Sequence, residues 1–306
     1  MAAQKNDDES SRKGLGEGSR RVDAAIREQQ RLLARVIRRL GTATVEDVHQ
    51  GRVTARRLRS MLKTFGALLE PRRAQLYRMD LRRLAHALTL AREADVRHKL
   101  LVDVGRSGGL AADDLERLDA LLDDQRVDAR ESLRRHLREP SWGALMKALE
   151  RHVSRSGAVV VRNATLGDVL ELAIAAWKRP VRLLERHPTS VTELHDLRLA
   201  LKHCRYALEP LADVAPEPAA RLARALRAAQ DSIGEHRDCL LADHWVRSNE
   251  RTLGRSLVER LTEELAGRER KLRRKARRKS AALLPAWKAW RRATGPVRRA
   301  GSKGRS

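Results

Sequence analysis

The sequence predicts an all-α protein: two pseudo-symmetric antiparallel helical bundles from an internal duplication. Three observations carry this. Beyond the first eighteen residues almost every segment repeats its apolar residues at a period near 3.6 and is rich in Leu, Ala and Arg, which are strong helix formers. No segment shows the sustained alternation of a half-buried strand. Two stretches of sequence recur about 145 residues downstream.

The elements follow in chain order. Positions 1–18 are polar and Gly/Ser-rich with no apolar period, which predicts a disordered tail. Beyond them, Gly41, Pro71, 105–109, Pro140, 154–165, 188–190, 215–218 and Gly254 act as breaks. Cutting there predicts helices over 20–40, 45–69, 72–104, 111–137, 142–152, 166–186, 192–211, 217–249, 256–279 and 284–292. Pro180 falls inside one of these and predicts a kink or split there. The folded domain is expected over 19–297, with a first half of about 19–155 and a second of about 160–297. Each half holds roughly four helices, which suits paired bundles. Positions 298–306 form a basic tail.

Charge narrows the function classes. The 306 residues hold 65 Lys+Arg against 40 Asp+Glu, a formal net charge of +25. With 34% charged residues, and the apolar run 170–177 interrupted by Glu171, no membrane span is expected. The first ten residues have no apolar stretch, so no secretory signal is expected there. Two cysteines, Cys204 and Cys239, make neither a disulfide framework nor a zinc cluster, and a reducing cytoplasm is the default. No cofactor motif is evident. The positive balance points to a polyanionic partner. Positions 267–306 hold sixteen Lys or Arg and one acid, Glu269, so more than half of the excess lies at the C-terminal end.

The body of the chain carries its own signal in the repeat. The stretch from Val48 to Arg59 recurs from Leu194 to Arg205, with His49 and His195 146 residues apart. On a helix, His49, Arg52, Arg56 and Arg59 fall within about 80° of one another. Lys63 extends that stripe by a turn. The same offsets in the second copy hold His195, Arg198, Lys202 and Arg205. The opposite faces are apolar: Leu58, Met61, Leu62 and Phe65 in the first copy, Cys204, Leu208 and Leu211 in the second. Solvated helix faces normally mix signs. These stripes hold no acid between His49 and Lys63 or between Arg198 and Arg205. Like charges a turn apart repel by a few tenths of a kcal/mol per pair, and a bound anion would relieve that.

Phosphate fits the residue types. The arginine fork holds two phosphate oxygens. Residues one turn apart are spaced ~5.4 Å along the axis, so an extended phosphate chain can lie along a stripe. A histidine beside such a chain gains a proton and a further positive charge. A second motif follows in each half: Leu88-Thr89-Leu90-Ala91-Arg92-Glu93 pairs with Ile233-Gly234-Glu235-His236-Arg237-Asp238, 145 residues on.

Both repeats resemble the CHAD domain, the conserved histidine α-helical domain, whose signature reads approximately His-Asp-Leu-Arg-Val-x-x-Arg-Arg-Leu-Arg. His195 to Glu209 is similar to its C-terminal half. Ile233 to Asp238 and Leu88 to Val96 resemble the Leu-Gly-x-x-x-Asp stretch that follows. The resemblance covers about 19–297. It implies two helical bundles whose basic stripes line a groove between them, binding of inorganic polyphosphate, and association with polyphosphate granules in the cytoplasm. By position it implies that His49, Arg52, Arg56, Arg59, His195, Arg198, Lys202 and Arg205 bind the polymer. The sequence departs from the pattern at Gln50, Gly51, Thr89, Glu93 and Cys204. Gly51 should weaken its helix. Most departures lie in the first half.

Other readings use the same residues. His195-Asp196 is the dipeptide of metal phosphohydrolases, but such a site needs further His and Asp ligands. Asp95 and Asp238 read more simply as partners of arginines or helix caps. The run 268–279 suits any polyanion, RNA and DNA included, yet eight aromatics are few for a protein that stacks bases. Trp287 and Trp290 read first as packing residues. A granule-recruiting scaffold is a third class. The reading favoured here is non-enzymatic polyphosphate binding.

Overall fold

Two hydroxyl caps set the register of the duplicated helices. Thr44 accepts the amide of Asp47 at 3.1 Å, and Ser190 accepts that of Glu193 at 3.1 Å. The Glu193 carboxylate accepts the Ser190 amide in return, closing a capping box. The computed structural model describes residues 15–42, 44–154 and 160–297. Thirteen α-helices account for most of them. The first half holds α1 (Glu17–Arg39), α2 (Val45–Thr64), α3 (Pro71–Ala87), α4 (Thr89–Ser107), α5 (Ala112–Leu137) and α6 (Pro140–Ser154). The second holds α7 (Leu166–Ala176), α8 (Lys178–Glu185), α9 (Val191–Ala207), α10 (Pro216–Ser248), the single turn α11 (Glu250–Leu253), α12 (Arg255–Ala281) and α13 (Leu283–Ala293). Among the described residues only one isolated bridge, Leu69 with Val160, has β geometry. No described helix is long and apolar enough to cross a membrane.

The apolar faces predicted from periodicity are the buried ones. Leu58, Met61, Leu62 and Phe65 of the first repeat, and Cys204, Leu208 and Leu211 of the second, are all buried in one large core. A second core joins the far ends of α4, α5, α10 and α12 through Leu101, Leu118, Val246 and Leu261. Helix α2 packs on α9, α4 on α10, and α12 along α10. The basic C-terminal run is therefore the outer face of a packed helix, with Leu257, Leu261, Leu265 and Ala276 turned inward. Trp287 stacks on Trp177 with ring centroids 4.6 Å apart, and both Trp287 and Trp290 are buried. They pack α13 onto the body. Both cysteines are free and buried.

Several boundaries differ from expectation, each for a local reason. Helix α1 starts at Glu17, so 17–18 belong to the fold and not to the tail; Gly18 and Ser19 are buried, and the Ser19 hydroxyl donates to the Arg162 carbonyl at 2.7 Å. Only glycine fits at 18, because a Cβ there would overlap the Thr165 carbonyl. Positions 1–14 of the predicted tail, and positions 298–306, lie outside the described residues, while Gly16 caps the start of α1. The helices predicted to run to 69 and 211 end at Thr64 and Ala207, each followed by a 3₁₀ turn. The 166–186 segment splits at Trp177, one turn before Pro180. A proline has no amide for the carbonyl four residues back and crowds it. The carbonyl so released, that of Ala176, accepts the Cys204 thiol at 3.4 Å. The 72–104 segment divides at Leu88. There the Thr89 hydroxyl donates to the Ala85 carbonyl at 2.9 Å, a back-bond that bends helices. Gly234, at the matching place in the second half, has no such group, and α10 runs through unbroken.

Candidate anion-binding cavity

Packing α2 against α9 brings the two predicted stripes face to face. They border a cavity of about 660 Å³ walled by α2, α4, α9 and α10, two helices from each half. Helix α2 contributes His49, Arg52 and Arg56, and α9 contributes Arg198, Lys202 and Arg205. Arg59 and Lys63 continue the α2 stripe beyond the cavity lining, and His195 is exposed near the start of α9, also outside it. Six of the nine stripe residues thus meet in one place, three from each half.

Three further cations, not singled out as binding residues, line the cavity: Arg92 and Arg97 enter from α4, and Arg237 from α10. Arg92 and Arg237 occupy the same place in the second repeated motif, and that recurrence was the available signal. Four carboxylates share the walls: Glu93, Asp231, Glu235 and Asp238. Glu235 is engaged outward by Lys275 at 2.6 Å, and Asp238 lies 3.8 Å from Arg237. Asp95 points elsewhere, bound to Arg130 at 2.7 Å with its side chain 5% exposed, which is the structural pairing expected for it.

The cationic side chains are held in place by neighbours. The Arg52 guanidinium donates to the Ala85 carbonyl at 3.0 Å and to the Thr89 hydroxyl. The departure at Thr89 therefore supplies an acceptor that orients Arg52. The departure at Gly51 serves packing: a Cβ there would approach Leu88 Cδ1 to 2.7 Å, so glycine lets α2 sit close against the α3–α4 junction. Arg205 lies over the buried Tyr206 ring at 5.7 Å, and Arg57 over the same ring at 5.6 Å. Arg97 lies 5.1 Å over Trp245 and donates to Gln125 at 3.1 Å.

Crowding of like charge shapes the electrostatics. Burial depresses Lys202 to about 8, and Arg198, Arg56, Arg237 and Arg59 push the same way. Arg198 is lowered first by burial and then by Arg237, against a partial offset from Asp238. Arg52 is lowered by burial while Glu93 opposes. His49 is held below the ordinary imidazole value by burial, then by Arg92, so it is the neutral ring that faces the cavity near pH 7. Asp238 is raised by burial despite Arg198 beside it. An anion entering this space would relieve the repulsion and favour the charged forms of Lys202 and His49.

At the exposed start of α9, the Asp196 carboxylate faces Arg179 at 3.7 Å. On α10, the buried His236 is bonded to Glu269 at 2.8 Å and faces α12.

Comparison with known proteins places this architecture. The CHAD domain family profile matches residues 20–247. Among solved structures, PptA from Streptomyces chartreusis superposes with a TM-score of 0.68 at 21% identity, covering 88% of this chain and 99% of that one. The CHAD domain from the plant Ricinus communis superposes with a TM-score of 0.66 at 22% identity, covering 84% of this chain and 88% of that one. No curated protein matches in sequence. At these identities the likeness to solved structures concerns the fold. The profile match, spanning both repeats and the four cavity helices, shows that the chain belongs to the CHAD domain family.

Proposed function

We propose that this protein binds inorganic polyphosphate without turning it over, and that it does so in the cytoplasm at polyphosphate granules. The observation that carries the reading is the meeting of both basic stripes on one cavity, where Arg52, Arg56, Arg198, Lys202 and Arg205 stand together and Lys202 is depressed to about 8 by burial and then by Arg198, Arg56, Arg237 and Arg59. The chemistry is electrostatic. Extended phosphate chains dock between α2 and α9, counterions leave, and arginine forks hold successive oxygens. The wall carboxylates Glu93 and Asp238 narrow the acceptable ligand to one of high charge density. The absence of catalysis is part of the proposal; the His195-Asp196 pair stands at the exposed end of α9 with its carboxylate against Arg179.

A direct test is competition between long-chain polyphosphate and RNA of equal phosphate content at matched salt. Polyphosphate should win, and a clear RNA preference would sink the reading. A companion test separates cavity from C-terminal helix. Arg56→Ala with Lys202→Ala should lower affinity by about tenfold or more, whereas neutralising the exposed basic residues of 268–279 should chiefly slow association. The reverse ranking would instead favour nucleic acid held on the outer face of α12. Phosphate release in the presence of Mg²⁺ or Mn²⁺ would overturn the non-enzymatic part.

A further inference from the structure

A third cationic stripe lies on α3, outside the cavity and outside both repeats of the His-x-x-Arg motif. Arg78, Arg82 and His86 follow one another four residues apart, within about 80° on the helix, and all three are exposed. The matching positions 145 residues on are Ala223, Arg227 and Asp231, so the second half has no counterpart. The stripe belongs to one side of the molecule only.

This stripe connects to the cavity through a chain of mutually perturbing cations. Lys202, on the cavity wall, is depressed in part by Arg59. Arg59 is lowered first by burial, then by Arg82 and Arg78. His203, next to Lys202, is lowered to about 4 by burial and by Lys63, Lys202, Arg59 and Arg78. Its Nε2 lies 3.5 Å from the Lys63 ammonium, and its buried Nδ1 has no partner among the described residues. No carboxylate stands among the charges acting on Arg59 or His203. At its far end the stripe enters a second cavity of about 320 Å³, where Arg82 and His86 are joined by Arg83 and His136. Basic side chains therefore line a path from the central cavity, over the α2–α9 seam, where the His203 ring is neutral near pH 7, and across α3 to His136, which Glu139 engages at 3.0 Å.

We propose that Arg59, Lys63, His203, Arg78, Arg82 and His86 form a second anion-binding stretch that continues the central cavity, so that a long polyphosphate chain is gripped along both while a short one is held in the cavity alone. The inference rests on the polyphosphate reading above. It adds a direction of exit for the chain, through the first half, and a dependence of affinity on chain length. Arg78 and Arg82 are exposed and bear no packing, so their replacement leaves the fold intact.

The test uses the full chain and two probes, tripolyphosphate and long-chain polyphosphate, with Arg78→Gln plus Arg82→Gln as the variant. Long-chain affinity should fall by about tenfold at physiological salt, and the slope of log affinity against log salt should shrink by about 1.4, as for two lost phosphate contacts. Tripolyphosphate affinity should not change. Unaltered long-chain affinity and slope would overturn the inference while leaving the cavity reading standing. Equal losses for both probes would also overturn it, because α3 would then belong to the short-chain site. A wild-type protein that binds neither probe would overturn the reading and the inference together. His203→Gln provides an independent second variant and should reproduce the selective loss in smaller degree.

Discussion

Lys202 is the residue at which binding and stability should pull in opposite directions. Its ammonium is depressed from 10.5 to about 8 by burial and by the arginines around it. A base that is more acidic in the folded than in the unfolded chain binds fewer protons when folded, so its charge opposes folding below about 8. That opposition fades as pH rises from about 8 to 10.5. The full shift would correspond to about 3 kcal/mol. Solvent screening of a partly exposed group reduces this to about 1–2 kcal/mol. Lys202→Met removes the charge and keeps most of the side-chain volume. The ligand-free variant should therefore melt about 2–4 °C above wild type at pH 7, with the gap closing toward pH 10.5. Polyphosphate should reverse the order, because it pairs with the Lys202 ammonium, which only the wild type has. Calorimetric titration in buffers of different ionisation enthalpy should show an uptake of about half a proton at pH 8 from this residue, missing in the variant. A variant that melts below wild type at pH 7, or that takes up as many protons on binding, would refute the account of Lys202 as a strained cation awaiting an anion.

Two further outcomes follow from contacts at the edges of the site. Thr89→Val keeps shape but removes the hydroxyl that accepts from Arg52, so we expect a stability loss of about 1–2 kcal/mol and an affinity loss of a few-fold. Chemical denaturation and polyphosphate titration would measure both, and unchanged values would leave Thr89 as a helix-bending residue only. Gly18→Ala places a methyl group against the Thr165 carbonyl and should lower stability by about 1–3 kcal/mol; an unaltered thermal midpoint would return 17–18 to the disordered tail.

The sequence alone determined the all-helical class, because a 3.6-residue apolar period marks the buried face of each helix whatever that helix packs against. It also placed the start of α2 at Val45 and that of α9 within one residue of Val191, together with the two basic stripes, since helix starts and stripes depend only on neighbours within a turn or two. Trp287 and Trp290 as packing residues were legible for the same reason. Pro180 announced the split of 166–186, which falls at Trp177, one turn earlier. The break at Leu88 was not foreseen: periodicity cannot reveal that Thr89 bends the chain where Gly234 does not. Only the tertiary structure decided which stripe residues meet. The packing of α2 on α9 put Arg52 and Arg198 on one cavity, left His195 exposed, and drew in Arg92, Arg97 and Arg237 from helices far along the chain. It also set the depressed basicity of Lys202, because burial and the distance to other charges are properties of the packed molecule and not of any one helix.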